Sequence, residues 1–154
     1  MGFRLSSILE MSETEEPLDS ALGWVADHTR RYAESDGEDG HEWMGVPTLL
    51  LTTRGRRSGR LRRNALIYGT DGDDYIIVAS RGGHANNPLW YLNLVADSKV
   101  SVQVGADRFD ATARTATPEE KARLWPAMTK IWPAYDEYQA KTERDIPVIV
   151  LERA

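Results

Sequence analysis

Apolar residues recur at helical spacing near the start of the chain and at alternate positions through most of its remaining length. Leu18, Leu22, Val25 and Tyr32 share one face of a 3.6-residue period, with Arg30, Arg31 and Glu34 off it. This predicts an amphipathic helix over residues 18–34. Ser35-Asp-Gly-Glu-Asp-Gly40 is polar and glycine-punctuated, hence a loop. Strand patterns then dominate. Val46–Thr53 and Leu61–Gly69 read as the two arms of a hairpin, and Asp74–Ser80 comes after the tight turn Asp71-Gly72-Asp73. Val100, Val102 and Val104 alternate with Ser101 and Gln103, which marks a half-buried strand. Gly105-Ala-Asp107 turns it back into Arg108–Arg114, with Phe109, Ala111 and Ala113 on one face. Ile146–Glu152 closes the chain as a strand.

Helices punctuate this pattern. Asn87 is a candidate cap and Pro88 a candidate opener for a helix through Leu89-Trp90-Tyr91-Leu92-Asn93. Thr117-Pro118-Glu119-Glu120 combines an N-cap, a first-turn proline and a capping-box glutamate. The helix it starts carries Leu124, Trp125, Met128 and Ile131. Pro126 is a candidate kink, Pro133 interrupts the helix, and a short helical piece continues through Tyr135 and Tyr138. Five or six antiparallel strands with tight hairpins and flanking helices predict a mainly β, α+β fold: a small barrel with peripheral helices. Strands and helices do not alternate regularly, which argues against a doubly wound parallel sheet.

At 154 residues the chain has the length of one domain. We read residues 18–154 as that domain and 1–17 as a flexible N-terminal tail. Met11 is a natural start, which would make residues 1–10 non-native. Zero cysteines exclude a disulfide framework, a thiolate zinc site, an iron–sulfur cluster and a cysteine nucleophile. No apolar stretch approaches the roughly 18 residues of a spanning helix, and no signal peptide is visible. The expectation is a cytoplasmic protein. Helix 18–34 could rest on a membrane surface, but Glu13, Glu15, Glu16 and Asp19 weaken any attraction to anionic lipid, and core-facing packing is the expected role.

Charge changes the picture. The chain carries 19 basic and 24 acidic residues, yet Arg54, Arg56, Arg57, Arg60, Arg62 and Arg63 fall within ten positions at the hairpin turn. Without those six the balance is 13 against 24. Gly55 and Gly59 bracket the turn, so backbone amides can join the guanidinium groups around an anion. No lysine comes after it and the exit is a strand, which excludes a P-loop; a Gly-x-Gly-x-x-Gly fingerprint is absent. A solvated basic turn and a nucleic-acid patch are the alternatives, but the acidic remainder repels a polyanionic duplex. A small, highly charged anionic ligand fits better.

Ser80-Arg81-Gly82-Gly83, with the helix start after Asn87, is a candidate second oxyanion cradle one strand later, although taken alone it reads as a loop with a turn. Trp132, Tyr135 and Tyr138 form an aromatic stripe interrupted by Pro133, read as a flap that lends rings and phenols to a pocket mouth. His28, His41 and His84 lack metal-ligand spacing, and the default role of the last two is solvation in loops. No nucleophile elbow exists. Any hard chemistry therefore belongs to a cofactor.

Leu51-Thr-Thr-Arg-Gly-Arg-Arg-Ser-Gly59, Arg62-x-Asn64, Val78-Ala-Ser-Arg-Gly-Gly83, Asn87-Pro-Leu-Trp-Tyr-Leu-Asn-Leu94, Ala113-Arg-x-Ala-Thr-x-Glu-Glu120, Tyr135-x-x-Tyr138 and Ile146-Pro-Val-Ile-Val150 form an ordered series from about Trp43 to Glu152. It resembles the deazaflavin-dependent nitroreductases, also described as F420H2-dependent quinone reductases. The resemblance implies a split β-barrel of the flavin-reductase, FMN-binding type, and coenzyme F420, whose phosphate and polyglutamate tail make a compact polyanion. It implies Arg56, Arg57 and Ser58 for tail and phosphate. Arg62, Arg63, Asn64, Ala65, Leu66 and Ile67 would line ring and phosphate, with Val78, Ala79, Ser80 and Arg81 on the next stretch and Leu89, Trp90, Tyr91, Leu92 and Asn93 at the helix start. Tyr135 would close over the ring. The implied chemistry is hydride transfer to a quinone or nitroaromatic, with a hydroxyl of Tyr135, Tyr138 or Ser80 binding or protonating the acceptor. Two positions depart from the resemblance on the acceptor side: Ile67, where relatives can carry tyrosine, and Trp132, the first aromatic of the flap, in place of tyrosine. An FMN-dependent split-barrel oxidoreductase and a non-catalytic cofactor carrier remain as alternatives, as does a phosphate-binding module for RNA. Split barrels occur as dimers, but the family the chain resembles can manage as monomers, so monomer and homodimer are both open.

Overall fold

The computed structural model describes residues 23–154. The expected tail and the first turn of the expected N-terminal helix lie outside the described residues. Within them, helix α1 (Gly23–Glu34) buries His28, Thr29 and Tyr32 and packs on the sheet, while Asp27 pairs outward with Arg30 and Arg31. Of the expected apolar face, Tyr32 serves the core, while Leu18, Leu22 and the Val25 side chain lie outside the described residues.

Eight strands come next: β1 (Glu42–Trp43), β2 (Val46–Arg54), β3 (Leu61–Ile67), β4 (Gly69–Asp71), β5 (Asp74–Val78), β6 (Lys99–Val104), β7 (Asp107–Thr115) and β8 (Val148–Arg153). Every pairing is antiparallel. The order is β1-β2-β6-β7-β8-β5-β4, with β3 branching off β2 as its one partner. Past Ile76, β5 pairs with β8 alone. The sheet therefore curls into a split β-barrel whose seam lies between β3 and β5, and this seam positions the candidate site.

The period-2 alternation of β5 and β8 feeds two cores. Ile77, Ile149 and Leu151 point into the barrel with Leu49, Leu51, Val100, Val102 and Phe109. Helix α2 (Leu89–Ala96) closes that core with Trp90 and Leu94. Ile76, Val78, Val148 and Val150 point outward against Leu124 and Met128 of α3 (Pro118–Ile131) and Tyr135 of α4 (Ala134–Lys141). This double burial explains the unbroken apolar run Val148-Ile-Val-Leu151.

Four local expectations change. Leu61–Gly69 is two strands, because Gly69 sits under α3: a Cβ there would come within 2.7 Å of Met128 Sδ. The last strand begins at Val148, since the Ile146 amide is taken by Gln139 Oε1 and Pro147 has none to give. Asn87 does not cap α2; Pro88 occupies the cap position, and the Asn87 amide oxygen accepts from Arg144 instead. Pro126 lies within an uninterrupted α3, whose capping box between Thr117 and Glu120 forms as predicted. The chain breaks at Trp132 and Pro133, between α3 and α4.

Candidate active site

The seam holds a cavity of about 240 Å³. Ala65, Leu66 and Ile67 of β3 form one wall, and Val78, Ser80 and Gly82 at the end of β5 form another. Trp132, Tyr135 and Tyr138 close a third side, and His28 of α1, Trp43 of β1 and Thr48 of β2 complete the lining. The mouth is aromatic: the Trp43 and Trp132 rings lie 5.4 Å apart, and Tyr135 stands edge-on to Tyr138 at 6.2 Å. Apolar walls with few polar groups suit a planar ring system.

Tyr135 is buried, and its hydroxyl bonds to nothing among the described residues. Burial, reinforced by the neighbouring Tyr138 phenol, pushes its pKa well above the ordinary tyrosine value. Tyr135 is therefore a neutral phenol at every physiological pH, able to donate a hydrogen bond but not to act as a base. The Tyr138 hydroxyl accepts from Trp132 Nε1 at 3.4 Å and keeps its own proton free to donate. His28 gives Nε2–H to the Gly40 carbonyl at 2.7 Å, which fixes the ring against the loop. His41 is not a solvated loop residue: it is half-buried and shares a 3.0 Å hydrogen bond with the Tyr68 hydroxyl.

The arginine turn sits at the far end of β3. Gly55 N–H donates to Arg60 O at 2.7 Å and Gly59 N–H to Gly55 O at 2.9 Å, with Gly59 at φ 72°. Arg54 Nη1 closes the turn by donating to Gly59 O. Buried Asn93 on α2 pins it from behind: Oδ1 accepts from Arg56 N–H at 3.1 Å, and Nδ2 donates to Thr53 Oγ1 at 3.3 Å. Arg54 to Gly59, with Ala96 and Asp97, line an open groove. At about 3.3 Å per residue, the four steps from Leu61 to Ala65 put groove and cleft roughly 13 Å apart.

Ion pairing separates the arginines into two sets. Arg30, Arg31, Arg108, Arg114, Arg123 and Arg153 each hold a carboxylate within 3.1 Å. Arg56, Arg57, Arg60 and Arg62 hold none among the described residues, and neither do Arg81 and Arg144 beside the cleft. Fixed positive charge is thus left uncompensated at both ends of one path.

The structure brings Ala65, Leu66, Ile67, Val78, Ser80, Tyr135 and Tyr138 together in the cleft, and Arg56, Arg57 and Ser58 in the groove. Arg62, Arg63 and Asn64 connect the two along β3. Other expected residues serve elsewhere. Ala79 and Trp90 are buried in the barrel core, Tyr91 shares a 3.1 Å hydrogen bond with Thr115, and Leu89 is 70% exposed on α2. Leu92 is half-buried on the same helix, and Asn93 acts on the turn from within. Sequence reasoning did not single out His28, Trp43, Thr48 or Arg144 for the site. His28 and Thr48 flank the conformationally special Gly40, the one sequence signal that marks their neighbourhood.

A family model described as F420H(2)-dependent quinone reductase matches residues 24–153. The chain is 42% identical over 130 residues to the F420H(2)-dependent quinone reductase Rv1261c of Mycobacterium tuberculosis (strain ATCC 25618 / H37Rv), covering 82% of this chain and 87% of that one. The solved structure of an F420-H2 dependent reductase (FDR-A) superposes with a TM-score of 0.64 at 41% identity, over 69% of this chain and 94% of that one. Another solved chain, described as a domain-swapped dimer, superposes with a TM-score of 0.67 at 39% identity, over 86% of this chain and all of that one. The chain belongs to the F420H(2)-dependent quinone reductase family.

Proposed function

We propose that this protein is an F420H2-dependent reductase that passes a hydride to an electron-poor acceptor, a quinone or a nitroaromatic. The observation that carries the reading is the run of guanidinium groups at Arg56, Arg57, Arg60 and Arg62, without a carboxylate partner among the described residues, leading along β3 to an apolar, aromatic-mouthed cleft. A ligand with an anionic tail, a linker and a planar ring fits that sequence of environments. The donor set fits the tail: several exposed arginines and the Ser58 hydroxyl suit a phosphate followed by carboxylates. Glycine supports the ring end, since a Cβ at Gly82 would project into open space at the cleft.

When bound, the reduced deazaflavin supplies the hydride. The chain supplies the rest. Arg56, Arg57 and Ser58 anchor the tail, and Arg62 to Ile67 guide the ligand along β3. Val78, Ile67 and the aromatic mouth exclude water, so that donor and acceptor meet in a dry, oriented pair. Reduction of a quinone to a hydroquinone takes a hydride and a proton. In this reading the Tyr135 phenol hydrogen-bonds the acceptor oxygen and hands over a proton; its support is that Tyr135 lines the cleft, with Tyr138 and Ser80 as further hydroxyls there.

The test is to mix purified protein with reduced coenzyme F420 and menadione and to follow cofactor oxidation optically. Protein-dependent oxidation is expected. Tight binding without oxidation would make the protein a cofactor carrier. No binding, with FMN or RNA retained instead, would overturn the reading.

A further inference from the structure

We infer that Arg144 is a positioning residue that ties the two walls of the cleft together and aims a set of backbone amides into it; the inference rests on the reading of the cleft as the cofactor site. Arg144 lies between α4 and β8. Its guanidinium reaches back to the loop after β5, where Nη2 donates to Ser80 O at 2.7 Å and Nε to His84 O at 2.8 Å. Nη1 donates to Ala79 O at 3.2 Å and to Asn87 Oδ1 at 2.8 Å. One planar fork therefore satisfies four acceptors spread over nine positions of a loop.

The consequence lies on the other side of the peptide planes. In a trans peptide, C=O and the following N–H point in opposite directions. Drawing the carbonyls of Ala79 and Ser80 toward Arg144 turns the amides of Ser80 and Arg81 away from it. Those amides, with that of Gly82, donate to nothing among the described residues. The backbone here runs from helical Ser80 (φ −78°) to left-handed Arg81 (φ 47°) and Gly82 (φ 63°). Successive amides in that alternation form a concavity for an oxygen or an anion. Ser80 and Gly82 both line the cleft. The left-handed Arg81 costs energy for a residue with a Cβ, and the four bonds of Arg144 hold it there.

Arg144 also connects this loop to the opposite wall. Its carbonyl accepts from Gln139 Nε2 at 2.8 Å, on the helix that carries Tyr135 and Tyr138. Gly83 packs directly on that helix, where a Cβ would come within 2.7 Å of Tyr138 O. The spacing between the amide cradle and the phenols is thus set by Arg144 together with Gln139 and the Gly83 contact. No carboxylate among the described residues neutralises Arg144, so its charge adds to the preference of the cradle for an electron-rich oxygen.

The experiment compares wild type with Arg144→Gln and Arg144→Lys. Cofactor Kd is read by fluorescence titration, and kcat separately from KM. Backbone amides of residues 79–84 are followed by NMR, with thermal melts to confirm folding. In wild type, the Ser80, Arg81 and Gly82 amides should shift and become protected when oxidised coenzyme F420 is added. Arg144→Gln should raise Kd about tenfold, the loss of one to two hydrogen bonds, and abolish that protection. Arg144→Lys should recover part of both. Unperturbed amides in wild type, or a folded Arg144→Gln protein with Kd within twofold of wild type, would overturn the inference. If wild type binds no deazaflavin at all, the proposed function fails instead, before any variant is made.

Discussion

Removing the charges of Arg56 and Arg57 is the sharpest perturbation of the proposed tail site. Both side chains are exposed, and neither has a carboxylate partner among the described residues, so neutral glutamine leaves no buried charge behind. The turn itself should persist, because Gly55 and Gly59, Arg54 Nη1 and Asn93 hold it through other atoms. A charge-assisted hydrogen bond contributes about 1.5–3 kcal/mol when well shielded. At this exposed site about 1 kcal/mol per arginine is the appropriate scale, roughly fivefold in Kd for each and about 25-fold for the double variant. Titration of cofactor into Arg56→Gln, Arg57→Gln and the pair, at low and high salt, reads this out. Wild-type affinity should weaken with salt, and the double variant should lose most of that dependence. Arg60→Gln, which removes only a contribution to the surrounding field, should change Kd by no more than about twofold at physiological salt. Arg108→Gln, whose charge is already paired with Asp36, should leave Kd unchanged. Equal losses for all the turn arginines, or affinity indifferent to salt, would refute the assignment.

Particular contacts set three further outcomes. Tyr32→Phe should destabilise the fold by about 1–3 kcal/mol in a denaturant melt, because it strands the buried Thr48 C=O and the half-buried Gly105 N–H; a cost below about 1 kcal/mol would show that water replaces the hydroxyl. Arg114 beside Glu120, aided by the Thr117 amide, holds the Glu120 carboxyl down at about 2. A lowered carboxylate stabilises the fold above its ordinary value of 4.5 and loses that contribution as pH falls toward about 2, so melting temperature should drop across that window and Glu120→Gln should flatten the drop. Tyr135→Phe should lower kcat for quinone reduction about tenfold or more while cofactor Kd stays within about twofold; its raised pKa leaves the phenol protonated, so no loss of rate up to about pH 9 should trace to it. Full turnover in that variant would remove Tyr135 as the proton donor.

Much of the frame was legible because its signals are local. The alternation of Val100 to Val104, the Asp71-Gly72-Asp73 turn and the Thr117–Glu120 capping box each declare themselves within a few residues, and each forms. The split at Tyr68 was hidden, since it depends on Gly69 meeting Met128 of a helix that comes nearly sixty residues later. Asn87 shows the same limit. Its position before a helix favoured a cap, but a guanidinium 57 residues away competes for its oxygen and wins. Histidine spacing reports on metal ligation and carries no signal for a cleft wall, the role His28 takes on the buried face of α1.

Charge shows why composition pointed to a ligand but could not allocate the roles. The six clustered arginines stand out in any count, whereas Arg144 is a single basic residue in Arg144-Asp-Ile-Pro147 and stands out in none. Only pairing distinguishes them. An acidic chain has carboxylates in excess, and this one places them against Arg30, Arg31, Arg108, Arg114, Arg123 and Arg153, where they brace helices and hairpins. Leaving Arg56, Arg57, Arg60, Arg62, Arg81 and Arg144 without one among the described residues carries a cost, visible where the burial of Arg144 and the nearby Arg81 together hold the Arg144 pKa below its ordinary value. Such a cost persists in a fold when something else offsets it. At the turn the proposed anionic tail would supply the offset; at Arg144 it comes from the three backbone carbonyls and the Asn87 amide oxygen that accept its hydrogen bonds.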